Sequence, residues 1–215
     1  MGIGHIALGF AAKRAVPRVS LATLIIASIF VDLLWSITLP LGLEHARIDP
    51  TLKSVPLDLY DYPITHSLLA GILWALVFGG AYFLVRKYRA GASMLGLLVL
   101  SHWVLDVISH RPDMPVLPSG PYLGLGLWNW PAAEIAVEEL MLAAGGWLYL
   151  RATSGPRVGL FVLVAVLAVI GGLAYLGPPP PSLNTMAAAN LIFVAVVATA
   201  ARFIDSRRTA ALGAS

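Results

Sequence analysis

Residues 92–110 read ASMLGLLVLSHWVLDVISH. The run is apolar and close to the roughly 20 residues that one membrane-spanning helix needs. It nevertheless carries three titratable groups. His102, Asp106 and His110 are spaced i, i+4, i+8, so a helix sets them on one face, drifting about 40° per step. An ionisable residue inside a span is costly and marks a functional site by default. This stretch therefore bears on the fold and on the chemistry together.

On either side lie five more apolar runs, at roughly 19–43, 63–85, 131–150, 157–177 and 185–204, giving six candidate spans. The first is long enough to tilt or to extend past the bilayer. Pro17 precedes it, Pro63 opens the second run and Pro131 the fourth. Gly155-Pro156 separates the fourth from the fifth, and the prolines 178–181 separate the fifth from the sixth. Composition agrees. The 215 residues are 59% hydrophobic and 12% charged, with mean hydropathy +0.84, whereas a soluble domain carries about 25% charged residues. The absence of cysteine excludes disulfides, thiolate metal sites and a cysteine nucleophile. The predicted fold is all-α: a polytopic transmembrane helical bundle forming one domain over 1–215. The charged and histidine residues inside spans are confined to 1–150, and two apolar spans with none between 158 and 201 occupy 157–204.

Eleven of the fourteen basic residues fall on one side of these spans: Lys13, Arg14, Arg18, Arg86, Lys87, Arg89, Arg151, Arg157, Arg202, Arg207 and Arg208. Arg47, Lys53 and Arg111 fall on the other. The positive-inside rule then puts both termini in the cytoplasm, as in a bacterial-type inner or plasma membrane. The basic residues are dispersed and match topology, so they do not point to nucleic acid. Residues 1–12 are apolar and precede Lys13-Arg14, the reverse of a signal peptide. Twelve helical residues cover about 18 Å, so the segment reads as an interfacial helix or a short helix reaching halfway into the membrane.

Further titratable groups lie within the apolar runs. Asp32 is in the middle of the first and His66 just inside the second. Glu134 and Glu138 are spaced i, i+4 in the fourth, and His5 is on the N-terminal segment. The topology places most of them in the non-cytoplasmic half, in a pocket opening away from the cytoplasm. Imidazoles and carboxylates together suit a divalent metal, zinc first, with manganese or iron as alternatives. His66, His102 and Asp106 are the central metal candidates, and Asp32 and His5 are further ligands. Glu138 is the candidate general base. His110 is a third ligand, a group behind the ligands or a helix cap. The plainer reading of each is a hydrogen bond between helices. His45, beside Glu44 and Arg47, reads as solvated. Asp58 and Asp61 read as loop residues, and Asp113 as a local partner of Arg111. The tryptophans and tyrosines read first as an interfacial belt, and Gly120–Trp130 as a segment over the pocket mouth.

Gly4-His5-Ile6-Ala7-Leu8-Gly9, Asp32, Thr65-His66-Ser67-Leu68-Leu69 and Ser101-His102-Trp103-Val104-Leu105-Asp106 occur in that order. Over about residues 1–150 this pattern resembles the YdjM-type membrane-bound metal-dependent hydrolases. The resemblance implies metal-site roles for His5, Asp32, His66, His102 and Asp106. It also implies a departure: the family's Pro-Asp-x-Asp-His run corresponds here to Phe30-Val31-Asp32-Leu33-Leu34-Trp35, which lacks one carboxylate and one histidine. A looser similarity is to zinc-dependent phospholipase C-like enzymes. Two functions follow as expectations. One is an intramembrane metallohydrolase, with membrane lipids around it, acting on a lipid or lipid-linked ester or phosphoester. The other is a proton- or cation-coupled transporter or channel using the same residues as a relay.

Overall fold

Ten residues near the start of the chain, Ile3–Ala12, form helix α1. The computed structural model describes residues 1–52 and 54–211. Lys53, one of the basic residues assigned to the opposite side, lies outside the described residues. Next come α2 (Leu21–Ser28) and α3 (Phe30–Thr38), then a hairpin of β1 (His45–Ile48) and β2 (Leu57–Asp61). One helical turn, α4 (Pro63–His66), leads into α5 (Leu68–Arg86) and α6 (Arg89–Ser109). Two short strands, β3 (Met114–Pro115) and β4 (Tyr122–Leu123), precede α7 (Pro131–Ala152). The chain ends with β5 (Thr153–Ser154), α8 (Val158–Leu176), α9 (Leu183–Asp205) and β6 (Thr209–Ala210), which pairs with β5.

Local chemistry sets several boundaries. The hydroxyls of Ser20, Ser67 and Ser182 accept the backbone N–H three residues on and start α2, α5 and α9. Pro131 occupies the first turn of α7, where its missing N–H costs nothing.

Two expected runs are broken. The stretch 19–43 is not one tilted helix: α2 and α3 meet at Ile29 with a bend of 57°. At that bend the Ser28 carbonyl accepts from the His102 ring, and insertion of a side chain at a carbonyl is a recognised cause of a kink. The second run breaks at Ser67, whose backbone is extended. Pro63 therefore opens only the single turn α4, and the long helix begins at Leu68.

Four helices, α5, α6, α8 and α9, are long and apolar enough to cross a membrane, and the bent α2–α3 pair makes a fifth if it is one span. The sixth expected span, α7, has the length, at 22 residues, but carries Glu134, Glu138, Glu139 and Arg151. The long apolar helices are those of a membrane protein. Leu76 and Val85 on α5, and Val158 and Leu173 on α8, are more than half exposed. In water such faces would aggregate; in lipid they are ordinary.

A shorter apolar helix, α1, is buried along most of its length. α1 packs on α7, α2 and α6, and Ile3, Ile6 and Phe10 are buried. Ten residues rise about 15 Å, half the hydrocarbon thickness. Its backbone comes so near α7 that a Cβ at Gly145 would strike the Ala7 carbonyl. Small residues allow this approach in lipid, where packing rather than apolar transfer holds helices together.

Candidate metal centre

Four elements bring five polar side chains to one place: His5 from α1, Asp32 from α3, His66 from α4, and His102 with Asp106 from α6. His102 Nε2 lies 3.0 Å from Asp106 Oδ2 and 3.5 Å from Asp32 Oδ1. His66 Nε2 lies 3.5 Å from the same Asp32 oxygen and 3.9 Å from Asp106 Oδ2. Ligands held tetrahedrally at about 2.0–2.2 Å from zinc stand about 3.3–3.6 Å apart. The two imidazoles and two carboxylates therefore have the spacing of one divalent-ion site. His5, Asp32 and His102 form an overlapping triad of the same kind.

The tautomers follow from what lies behind each ring. A carbonyl only accepts, so His102 Nδ1, 3.1 Å from the Ser28 carbonyl, carries the proton. His66 Nδ1 lies 2.7 Å from Thr65 Oγ1, whose own hydrogen faces the Glu44 carboxylate at 2.9 and 3.1 Å. The hydroxyl spends its proton on Glu44 and so accepts from His66. His110 Nδ1 lies 3.1 Å from Asp113 Oδ1, with Nε2 3.8 Å from Asp106 Oδ1. In each of the three rings Nδ1 is engaged by an acceptor and Nε2 is turned, as a lone pair, towards an aspartate. This is how metal-ligating histidines are usually fixed.

His102 Nε2 is buried and makes no hydrogen bond. At 3.0 Å from a carboxylate oxygen, its lone pair would leave two acceptors facing each other, an arrangement that a bound cation or a proton between them relieves. The donor set thus fits a divalent ion of the zinc, manganese or iron type.

His5 is held differently. Its ring stacks on that of His102 with centroids 3.8 Å apart, and its Nε2 lies 3.1 Å from Asp106 Oδ1. Its Nδ1 is buried without a partner. The Met1 backbone nitrogen also reaches Asp106 Oδ1.

The cluster opens into a pocket of about 140 Å³. Asp32, His66, Asp106 and His110 line its floor. Trp35, Tyr62 and Trp128 form walls, and Val55, Leu57 and Leu59 of the hairpin region close over it. The Asp32 side chain is 32% exposed, whereas His66, His102 and Asp106 are at most 5% exposed. Access is therefore from the Asp32 side. Tyr62 donates to Asp113 Oδ1 at 3.0 Å. Burial and the Asp113 charge push its phenol above the ordinary range, so it stays a neutral donor.

Several expected placements change. Glu138 does not line this pocket. Its two oxygens accept the Gly2 and Ile3 N–H groups, and it also accepts from the Tyr175 hydroxyl at 3.0 Å. It serves as the anion at the N-terminus of α1, where the helix dipole favours negative charge. Glu134 accepts from Ser109 and Tyr175. Asp58 and Asp61 lie on β2, not in a loop, and pair with Arg47 and His45. His45 is half exposed. Of the aromatics, Tyr60, Tyr122 and Trp130 are exposed as a belt requires, while Tyr62 and Trp128 are buried.

The sequence reading missed Glu44 and Asp113 as supports for His66 and His110. Glu44 is fully buried. Only Thr65, adjacent to His66 in the quoted motif, pointed that way.

The chain matches no family model, no curated protein and no solved structure.

Proposed function

We propose that this protein is an integral-membrane metal-dependent hydrolase of the YdjM type, acting on a lipid or lipid-linked ester or phosphoester. The observation that carries the reading is the shared posture of His66, His102 and His110. Each has its Nδ1 proton engaged and its Nε2 turned onto a buried aspartate. Such an arrangement is costly inside a membrane unless a cation completes it.

His66, His102, Asp32 and Asp106 would hold the ion, and His5 would steady Asp106 from behind. When bound, the ion supplies Lewis acidity towards an ester or phosphoester group and towards water. Asp32 is the ligand nearest the opening, so the reacting group meets it first. His110 lines the pocket with Nε2 free to take up a proton, and Asp113 stabilises the imidazolium that results. Trp128, whose ring lies 3.8 Å from that of His110, limits water around it.

In this reading α7 is also a span, and its buried carboxylates Glu134 and Glu138 are tolerated because Tyr175 pairs with both and the start of α1 pairs with Glu138. Both termini face the cytoplasm of a bacterial-type inner membrane, and the pocket opens on the other side. A transporter relay needs access from both faces; the polar cluster instead opens into the pocket beside Asp32, and α8 has no charged residue.

The test is elemental analysis of detergent-purified protein, wild type and His102→Ala/Asp106→Ala. Near-stoichiometric zinc, manganese or iron, lost in the double variant, is expected and justifies assays on lipid phosphoesters. No metal in the wild type after repletion with each ion overturns the reading.

A further inference from the structure

The other end of the bundle holds a second, larger concavity. α5 packs on α6 and α6 on α2, so α5 and α2 flank α6 with a slot between them. The slot has a volume of about 940 Å³. Its floor is apolar, with Ala22, Ile26 and Phe30 on one side and Val77, Phe78 and Ala81 on the other. Phe30 closes the inner end, edge-on to Phe78 at 4.9 Å and to Trp74 at 6.0 Å. A smaller concavity continues it outward and shares Arg18, Tyr82, Val85 and Arg86.

Its mouth is basic. Arg18, Arg86 and Arg202 surround it, and among the described residues no carboxylate pairs with any of them. Arg18 lies instead over the Tyr88 ring at 4.6 Å. One carboxylate is present, Asp205, and it is already taken. It accepts from Lys13 at 2.7 Å, from the Leu21 N–H at 3.0 Å and from Tyr149 at 2.8 Å. Three cations are left facing outward without compensation.

Length identifies the occupant. The helix between Val77 and Arg86 rises about 14 Å. One leaflet of hydrocarbon is about 15 Å, half the bilayer core. The slot is therefore as deep as one leaflet, with its charge at headgroup level. Basic pockets between spanning helices are where anionic headgroups bind.

We infer that this slot is a binding site for an anionic diacyl phospholipid, with an acyl chain against Ala22, Ile26 and Ala81 and the phosphate among Arg18, Arg86 and Arg202. The site is separate from the metal pocket, and it requires the membrane setting but no metal.

The experiment is native mass spectrometry with thermal unfolding of the full chain in detergent, titrated with phosphatidylglycerol, phosphatidylcholine or glycerol phosphate. Phosphatidylglycerol should be retained at one lipid per chain and raise the unfolding temperature, and phosphatidylcholine should bind at least tenfold more weakly. The triple variant Arg18→Gln/Arg86→Gln/Arg202→Gln should lose the preference, by about fivefold per arginine removed. Ala81→Phe, which fills the slot and leaves the arginines in place, should lose the bound lipid with helicity retained. Equal retention of the two lipids by the wild type overturns the inference. So does phosphatidylglycerol still bound to Ala81→Phe. An equal stabilisation by glycerol phosphate alone would replace the lipid with a free anion and overturn it as well.

Discussion

α6 and α8 are both apolar helices long enough to span a membrane, and they solve opposite problems. α8 carries no titratable group except Tyr175 near its end, and one face of it, with Phe161, Val162, Val166, Val169 and Leu173, is exposed. α6 buries His102 and Asp106 at the centre of the molecule. The difference is company. Asp106 has His102 beside it on its own helix, and His5 and His66 delivered by α1 and α4. Among the described residues nothing comparable surrounds α8. Hydrocarbon tolerates a charge where neighbouring helices complete its coordination and excludes it elsewhere.

The most severe break in that comparison is a carboxylate placed on the bare helix. Leu167 on α8 is fully buried among apolar neighbours. Leu167→Asp should cost about 3 kcal/mol or more, read as lost folded yield and a lowered unfolding temperature. Survival without change would mean that the bundle tolerates charge anywhere, and the argument from Asp106 would fall.

Next is the support behind the site. Glu44→Gln removes the anion that orients Thr65 and leaves His66 with the wrong tautomer available. Metal affinity should fall about 10- to 100-fold, measured by competition with a chelating dye, while helicity stays intact. An unchanged affinity would make the Glu44–Thr65–His66 chain structural only.

Glu138→Gln should do the reverse. It weakens the seat of the α1 N-terminus and costs about 1–3 kcal/mol of stability, read by thermal unfolding, with metal content retained. A loss of turnover without a loss of stability would restore Glu138 as the general base.

The smallest effect concerns Tyr62. Its phenol is raised above the ordinary value, so the folded state resists deprotonation that the unfolded chain allows. Its contribution is present below about pH 10 and declines as pH rises past that point. Tyr62→Phe should flatten the alkaline part of the stability curve and cost only about 1 kcal/mol at neutral pH.

The apolar runs made the long helices legible, because length and hydropathy are local properties. The i, i+4, i+8 spacing placed His102 and Asp106 on one face of α6 for the same reason. The bend at Ile29 was not legible, because the ring that meets the carbonyl there belongs to a histidine 74 positions from Ser28. Glu44 was unreadable in a similar way. A glutamate among loop residues looks solvated until its carboxylate is seen to accept from the Thr65 N–H and hydroxyl on α4. Glu138 was placed on the correct helix but read for the wrong partner, since nothing in its own helix announces the N-terminus of α1.

The cramped pocket sets a limit on what can be discriminated. About 140 Å³ under a hairpin of Val55, Leu57 and Leu59 admits an ester or phosphate group but not the chains attached to it. On the hydrolase reading, everything beyond the scissile bond trails outside in the bilayer. Selection then falls on the few atoms that fit beneath the hairpin, and tails of different length or saturation would be processed at similar rates.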